Sequence, residues 1–432
     1  MSSVATDRLA GLTSSVAVKA PCKAAANSNI TLSGEQTVGV VACVDGDRVL
    51  VGGQTDTTEN GIYVCSTSAW SRAADFNGNR DVVNGTLVVV TDDDGSGPGS
   101  FFEARASWPR TAAEIAASLV PVSLYFEPGD VRRYGAVGNG TTDDTAAFQA
   151  AILQNEQSSD DAAPIRSGST TYYTATGLSW CAAGESDRIW YADGTILTTL
   201  NADVNGLTVG AISRSDRANR CKILGSLRIT NTLKLPDVTA TGFLVQQCGT
   251  CEFHIEVDEF YYGIRLTANT AGYGCARNSF YLGEMHENFY GVGIVLTSSV
   301  GSYVNGNRFY GGYFSFVNKD IGYHIYIPYN ASGDADSSER RPNDNVFFHP
   351  MLEGGNTSGE AQGAILCAGR FNSFIQPRIE IKDPHNANSP QQVFFTKDSA
   401  NNYLLFGWAS KANLTSADNH EIDDQGVENI VL

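Results

Sequence analysis

The chain contains no uninterrupted run of about 20 apolar residues, so no segment reads as a membrane-spanning helix. Met1–Ser15 lacks the basic-then-apolar order of a secretory signal. Synthesis in a cytosol is therefore expected, with release by lysis or a dedicated machine. Positive charge is scarce: 29 Lys and Arg stand against 47 Asp and Glu, a net charge of −18. This argues against broad nucleic-acid binding and against adhesion to an anionic membrane. The nine cysteines are scattered and odd in number, which argues against a disulfide framework. Cys248 and Cys251 form a lone Cys-x-x-Cys without a second pair at zinc spacing, so they are expected as small buried core residues. No metal and no cofactor is expected. Helix-favouring runs are few.

What the chain has instead is glycine, 44 of 432 residues, set among short apolar stretches. That composition points to an all-β or solenoid protein with many turns. The stretch Gly129–Ile152 organises the rest. Val131 and Tyr134 alternate with polar residues, as in a short strand. Gly135, Gly138 and Gly140 then allow turns that a Cβ would obstruct. Asp143 or Asp144 can cap a helix whose apolar side is Ala146, Ala147, Phe148, Ala150, Ala151 and Ile152. The order Tyr-Gly-Ala, then Gly-x-Gly-x-x-Asp-Asp-Thr-Ala-Ala, resembles the entry motif of the pectate-lyase-like right-handed β-helix family. The resemblance implies that this helix covers the first rung of a parallel β-helix. A phosphate-type glycine loop does not fit, since no Lys follows the glycines as the Gly-Lys-Ser/Thr of a P-loop requires.

Upstream, the pattern is of short strands: Asn29–Ser33, Asp47–Val51, Gly61–Val64, Trp70–Arg72 and Gly85–Val90. Gly52-Gly53, Asn60-Gly61, Asn77-Gly78 and Asn84-Gly85 separate them. The run Ile-Thr-Leu-Ser-Gly, Gly-Asp-Arg-Val-Leu-Val, Glu-Asn-Gly-Ile-Tyr-Val and Ala-Trp-Ser-Arg-Ala-Ala-Asp resembles a module near the N-terminus of bacteriophage tail fibre and tailspike proteins. A generic β-sandwich is the plainer alternative. The expected organisation is a flexible start over 1–15, a β-sandwich-like adaptor domain over 16–110 and a linker over 111–128. A right-handed parallel β-helix follows over 129–400, with its capping helix over 143–153. Residues 401–432 would supply last coils or a subunit contact.

Downstream of the motif the sequence repeats. Asn-x-Phe recurs at Asn278/Phe280, Asn307/Phe309, Asn345/Phe347 and Asn372/Phe374, with Cys251/Phe253 as a variant. The aromatics are 27, 29, 38 and 27 residues apart, one coil of a β-helix each. The longest interval carries the polar insert Pro328–Pro342. A second unit sets a glycine before alternating apolar residues, at Gly206, Gly242, Gly263, Gly293, Gly322 and Gly363. A coil cannot bury its apolar face alone, whereas stacked coils make one core with like residues about 4.8 Å apart. Asn should then bond to Asn, and Phe should stack on Phe.

Aligning coils on their Phe makes columns. Six residues on stand Glu259, His286, Ser315, Glu353 and Glu380; four on, Val257, Glu284, Tyr313, Met351 and Arg378. The intervening column, Asp258, Met285, Phe314, Leu352 and Ile379, is mostly apolar and should face inward. Pro350 and Pro377 mark a bend that resets the alternation. The candidate catalytic residues are therefore Glu353, Glu380, Glu284, His286, Tyr313 and Arg378. Glycoside cleavage needs one protonated and one ionised carboxyl, and adjacent coils bring Glu353 and Glu380 close to the retaining separation. Like charge at that range would hold one of them protonated. A lyase would use Tyr313 or His286 as base and Arg378 against a uronate.

Tyr261, Tyr262, Tyr273, Tyr281, Tyr290, Tyr310, Tyr313 and Tyr323 crowd the middle coils, and such rings stack on sugars. Tyr281, Tyr310, Asp258 and Glu259 are the expected substrate-binding residues. The bland alternative is that these are solvated rungs, with Arg378–Glu380 a structural ion pair. A groove between subunits at Asp258, Glu259 or Asp320 is a rival. Asp334–Asp336 lacks the glycine and terminal Glu of a calcium loop and reads as a solvated turn.

The resemblance implies a homotrimeric spike in a phage virion, assembled in the host cytoplasm and joined to tail or baseplate proteins through its N-terminal domain. It would bind, and by hydrolysis or elimination depolymerise, a host surface polysaccharide. A non-catalytic receptor-binding fibre and a bacterial pectate-lyase-like enzyme are the alternatives.

Overall fold

The computed structural model describes residues 18–39, 41–78, 81, 86–91, 100–104, 119–122, 126–157, 162–210, 217–233, 239–268, 273–295, 302–315, 322–328, 342–355, 363–382, 393–405, 407–409 and 422–432. The start over 1–15, most of the 111–128 linker, the Asn84-Gly85 turn, Asp320 and Asp334–Asp336 lie outside these residues. The chain divides into two units, Met1–Gly135 and Ala136–Leu432.

In the first unit Arg48–Val51 is the central strand, paired parallel to Ala24–Ala26 and antiparallel to Gly61–Val64. It is apolar on both faces because both are covered. Leu50 joins Ile62, Phe76, Val88 and Val90, while Val49 and Val51 join Tyr63 and Trp70. Arg48 is fixed by two bonds to Asp75, at 2.9 and 3.0 Å. Asn29–Ser33 is not a strand. The Gln54 amide takes both the N–H and the C=O of Ile30, leaving Ser33 a single bridge to Ala69. Val131–Tyr134 is likewise not a strand but one turn of 3-10 helix. Asp130 caps it and pairs with Arg132, and Gly135 closes it at φ 94°.

The second unit is a parallel β-solenoid. Its helix, α1 (Thr145–Asn155), begins two residues later than expected because Asn139–Asp143 is a strand beside Thr171–Tyr173. The two aspartates divide the labour. Asp143 accepts from the Thr145 N–H at 3.0 Å, whereas Asp144 turns back and accepts from the N–H groups of Val137 and Gly138 at 2.7 and 3.1 Å. The glycine loop is thereby tied to the helix it precedes. Phe148 is buried against Tyr172 and Trp190 in the first rungs, at 5.0 and 5.7 Å between ring centroids.

Just past α1, burial and the neighbouring Glu185 push the Glu156 carboxyl up from 4.5 to about 7, although it accepts the Cys181 N–H. The folded state thus holds this proton more tightly than the unfolded chain. Stability should fall as pH rises from 4.5 to 7, by up to about 3 kcal/mol from this one group. Glu156→Gln is expected to flatten that slope, read as the difference in unfolding midpoint between acidic and mildly alkaline buffer. An unchanged slope would exclude Glu156 as its source.

Three sheets of parallel strands line the coils. Among the described residues the longest has 15 strands, the second nine and the third four. The long sheet passes through Glu252–Asp258, Ser279–His286, Arg308–Ser315, Val346–Phe348, Ser373–Ile375 and Tyr403–Leu405. Inside it Phe253, Phe280, Phe309, Phe347 and Phe374 form one column at 5.4, 4.7, 4.3 and 5.5 Å. Each asparagine amide donates to the carbonyl oxygen of the next: Asn278 to Asn307, Asn307 to Asn345 and Asn345 to Asn372, at 2.9, 2.9 and 3.0 Å. Where the sequence pattern loosens, this ladder continues through Asn402 to Asn429, with Leu404 below Phe374. These segments, part of the expected 401–432 stretch, are further coils.

The glycine repeat needs a correction. Ile264 pairs with Val292, so Gly263 stands over Gly291, not Gly293. A Cβ on Gly291 would lie 2.5 Å from the Phe314 ring. Gly293, Gly322 and Gly363 have another task, seating the rings of Tyr262, Tyr290 and Tyr323 from the preceding coil.

Candidate active site

The outer face of the long sheet depends on how each coil travels from one inward residue to the next. Phe280 and Met285, Phe309 and Phe314, Phe347 and Leu352, and Phe374 and Ile379 are all buried, five positions apart. Strict alternation would send the second of each pair outward, so every one of these coils carries a kink. In Arg308–Ser315 the kink is Gly311-Gly312, both at positive φ. In the next two coils it is His349-Pro350 and Gln376-Pro377, with φ 51° at His349 and 50° at Gln376. The coil Glu252–Asp258 alternates cleanly, burying Phe253, Ile255 and Val257. Its acid therefore arrives one position early. Asp258, not Glu259, accepts the His286 N–H at 3.2 Å, and Glu259 falls beyond the strand at a left-handed corner with φ 65°.

All six expected catalytic residues meet on one outward face, in two neighbouring columns. Glu284 pairs with Tyr313, Tyr313 with Met351, and Met351 with Arg378; alongside, His286 pairs with Ser315 and Glu353 with Glu380. Their side chains form a relay across the coils. His286 Nδ1 lies 2.7 Å from Ser315 Oγ. The Tyr313 hydroxyl donates to Glu353 Oε2 at 2.9 Å. Arg378 Nη2 is 3.9 Å from Glu353 Oε1 and is bonded to Glu380. The bond to Glu353, with burial second, pushes the Tyr313 phenol above its ordinary value.

The expected repulsion between Glu353 and Glu380 is offset, because Arg378 reaches both. Glu284 has its own cation, Arg228, at 3.7 Å. Asp258 is buried and bonded to the same guanidinium at 2.5 Å, so it supports the row from beneath instead of presenting a carboxylate to a sugar. Burial pushes the Asp258 carboxyl up, and Arg228 opposes it.

Beside this row runs an aromatic column: His254, Tyr281, Tyr310 and Phe348, with ring centroids 4.6, 5.0 and 5.1 Å apart. Tyr281 is 41 % exposed at its centre. The expected sugar-stacking pair, Tyr281 and Tyr310, is thus contiguous. The other tyrosines divide differently: Tyr262 stacks on Tyr290 and Tyr290 on Tyr326, at 5.0 and 4.0 Å, on the outer side of the second sheet. Arg228 and Ser315 belong to the site but were not singled out from sequence. The column that holds Ser315 beside His286 was the available signal.

Among the described residues no group of three or more His, Cys, Asp or Glu is placed to hold a metal ion. Nor is any helix among them long and apolar enough to cross a membrane.

No family model matches the chain, and no curated protein matches it in sequence. Solved structures similar to it include ORF18 of Geobacillus virus E2, 14% identical, with a TM-score of 0.46, covering 81% of this chain and 70% of that one. The tailspike protein of Acinetobacter baumannii phage AM24 is 12% identical with a TM-score of 0.39, covering 79% of this chain and 64% of that one. The DFA-IIIase of Arthrobacter chlorophenolicus A6 is 11% identical with a TM-score of 0.32, covering 71% of this chain and 95% of that one.

Proposed function

We propose that the chain is the polysaccharide-engaging spike of a bacteriophage tail, and that it binds and hydrolyses a host surface polysaccharide on the outer face of its long sheet. One observation carries the reading: the cluster Glu284, Tyr313, Glu353, Arg378 and Glu380 on one sheet face, flanked by the stacked ladder of exposed Tyr281 and half-buried Tyr310 and Phe348. The aromatic ladder offers flat faces for successive sugars, and the row offers two carboxyl groups on adjacent coils beside them. The rigid stack holds both in register without a moving part. The sequence resemblances support the tail assignment and, with it, a homotrimer attached through the N-terminal unit.

Hydrolysis is favoured over elimination by the state of the arginines. Arg378 is engaged by Glu353 and Glu380, and Arg228 by Asp258 and Glu284. Neither is poised to neutralise a uronate, which a lyase requires. Incubation with purified capsule or lipopolysaccharide tests the proposal. New reducing ends without the ultraviolet absorbance of an unsaturated sugar are expected. Absorbance rising with the ends would indicate a lyase. Binding with no new ends would leave a receptor-binding fibre.

A further inference from the structure

We infer that Ser315, His286 and Glu287 form a serine esterase centre that removes short acyl groups from sugar hydroxyls. Three observations carry it. Ser315 Oγ is 2.7 Å from His286 Nδ1, a closed hydrogen bond between side chains on neighbouring coils. Glu287 Oε1 is 3.6 Å from the other ring nitrogen, His286 Nε2. Glu287 is held at a left-handed corner, φ 53°, and its N–H bonds the Ser315 carbonyl at 3.0 Å, which fixes acid, base and hydroxyl relative to one another.

The order hydroxyl, imidazole, carboxylate determines the proton's position. A carboxylate facing Nε2 keeps the ring proton there, and Nδ1 is left with the lone pair that accepts from Ser315. The arrangement is an activated nucleophile, with His286 as base and Glu287 as its positioning residue. In the reaction Ser315 Oγ adds to the acyl carbon of an ester while its proton passes to His286 Nδ1. The sugar oxygen leaves with that proton, and an acyl-Ser315 remains. Water then adds to the acyl carbon, giving its proton to His286. The carboxylic acid departs and Ser315 recovers its hydrogen.

The row lies on an open sheet face, which suits a small acyl group on a long polymer better than a fatty chain. The polymer as carrier rests on the function proposed above; the nucleophile does not. The full chain would be treated with a fluorophosphonate probe and mapped by peptide mass, and turnover of p-nitrophenyl acetate and acetate release from an O-acetylated polysaccharide would be followed. Labelling at Ser315 is expected. Ser315→Ala and His286→Gln should each lower ester turnover at least about 100-fold. Glu287→Gln should lower it less, with part restored by Glu287→Asp. Labelling elsewhere, or wild-type turnover in Ser315→Ala, overturns the inference. Should these variants fold poorly, the labelled position in the unaltered chain decides. Failure of reducing ends to appear counts against the proposed depolymerisation alone.

Discussion

Replacing Glu353 by glutamine is expected to slow the release of new reducing ends by about a thousandfold, with the unfolding midpoint little changed. Glu353 is the hub of the row: it accepts from the Tyr313 hydroxyl at 2.9 Å and lies 3.9 Å from Arg378. Glutamine keeps the volume and one acceptor but can neither carry nor transfer the proton. Glu380→Gln should have a similar effect if the pair acts together. Their adjacent coils place them about 5 Å apart, the retaining geometry, so the freed anomer should keep its configuration. Inversion would instead implicate Glu284, two coils from Glu353. Unimpaired cleavage in both glutamine variants would move the chemistry away from this face.

The second large effect is structural. Asn345→Ala should lower stability by about 3–5 kcal/mol, measured by denaturant unfolding. The Asn345 side-chain oxygen receives both the amide and the backbone N–H of Asn307, at 2.9 and 3.2 Å, and its own amide reaches Asn372. Asn307, Asn345 and Asn372 are fully buried, so water cannot replace these bonds. Hydrogen exchange should show the loss centred on the Asn307 and Asn372 coils, since a solenoid coil contacts chiefly its neighbours. A loss under 1 kcal/mol would mean that Phe stacking alone sets the register.

The parts of this architecture that were readable are those where one side chain does the same work in every coil. Asn and Phe recur because each ladder needs an identical partner above and below. The glycine repeat misled because two demands share one residue type: Gly291 avoids the Phe314 ring, whereas Gly293 seats Tyr262. The acid beside His286 was misassigned for a related reason. The kink at Gly311-Gly312 or before Pro350 advances the outward residues by one position, and the unkinked Phe253–Val257 coil does not share it. Counting from Phe therefore worked for Glu353 and Glu380, which lie in kinked coils, and failed for Glu259. The role of Glu287 was hidden further, since its place beside His286 comes from a left-handed corner that sequence alternation does not encode.

The asparagine bond is 3.0 Å where its partners are 27 residues apart, as for Asn345 and Asn372, and 2.9 Å where they are 38 apart, as for Asn307 and Asn345. Whatever chain is spent between rungs is invisible to the spine. A lineage could therefore exchange such excursions freely, altering what the shaft grips at its flank while the scaffold beneath keeps its pitch.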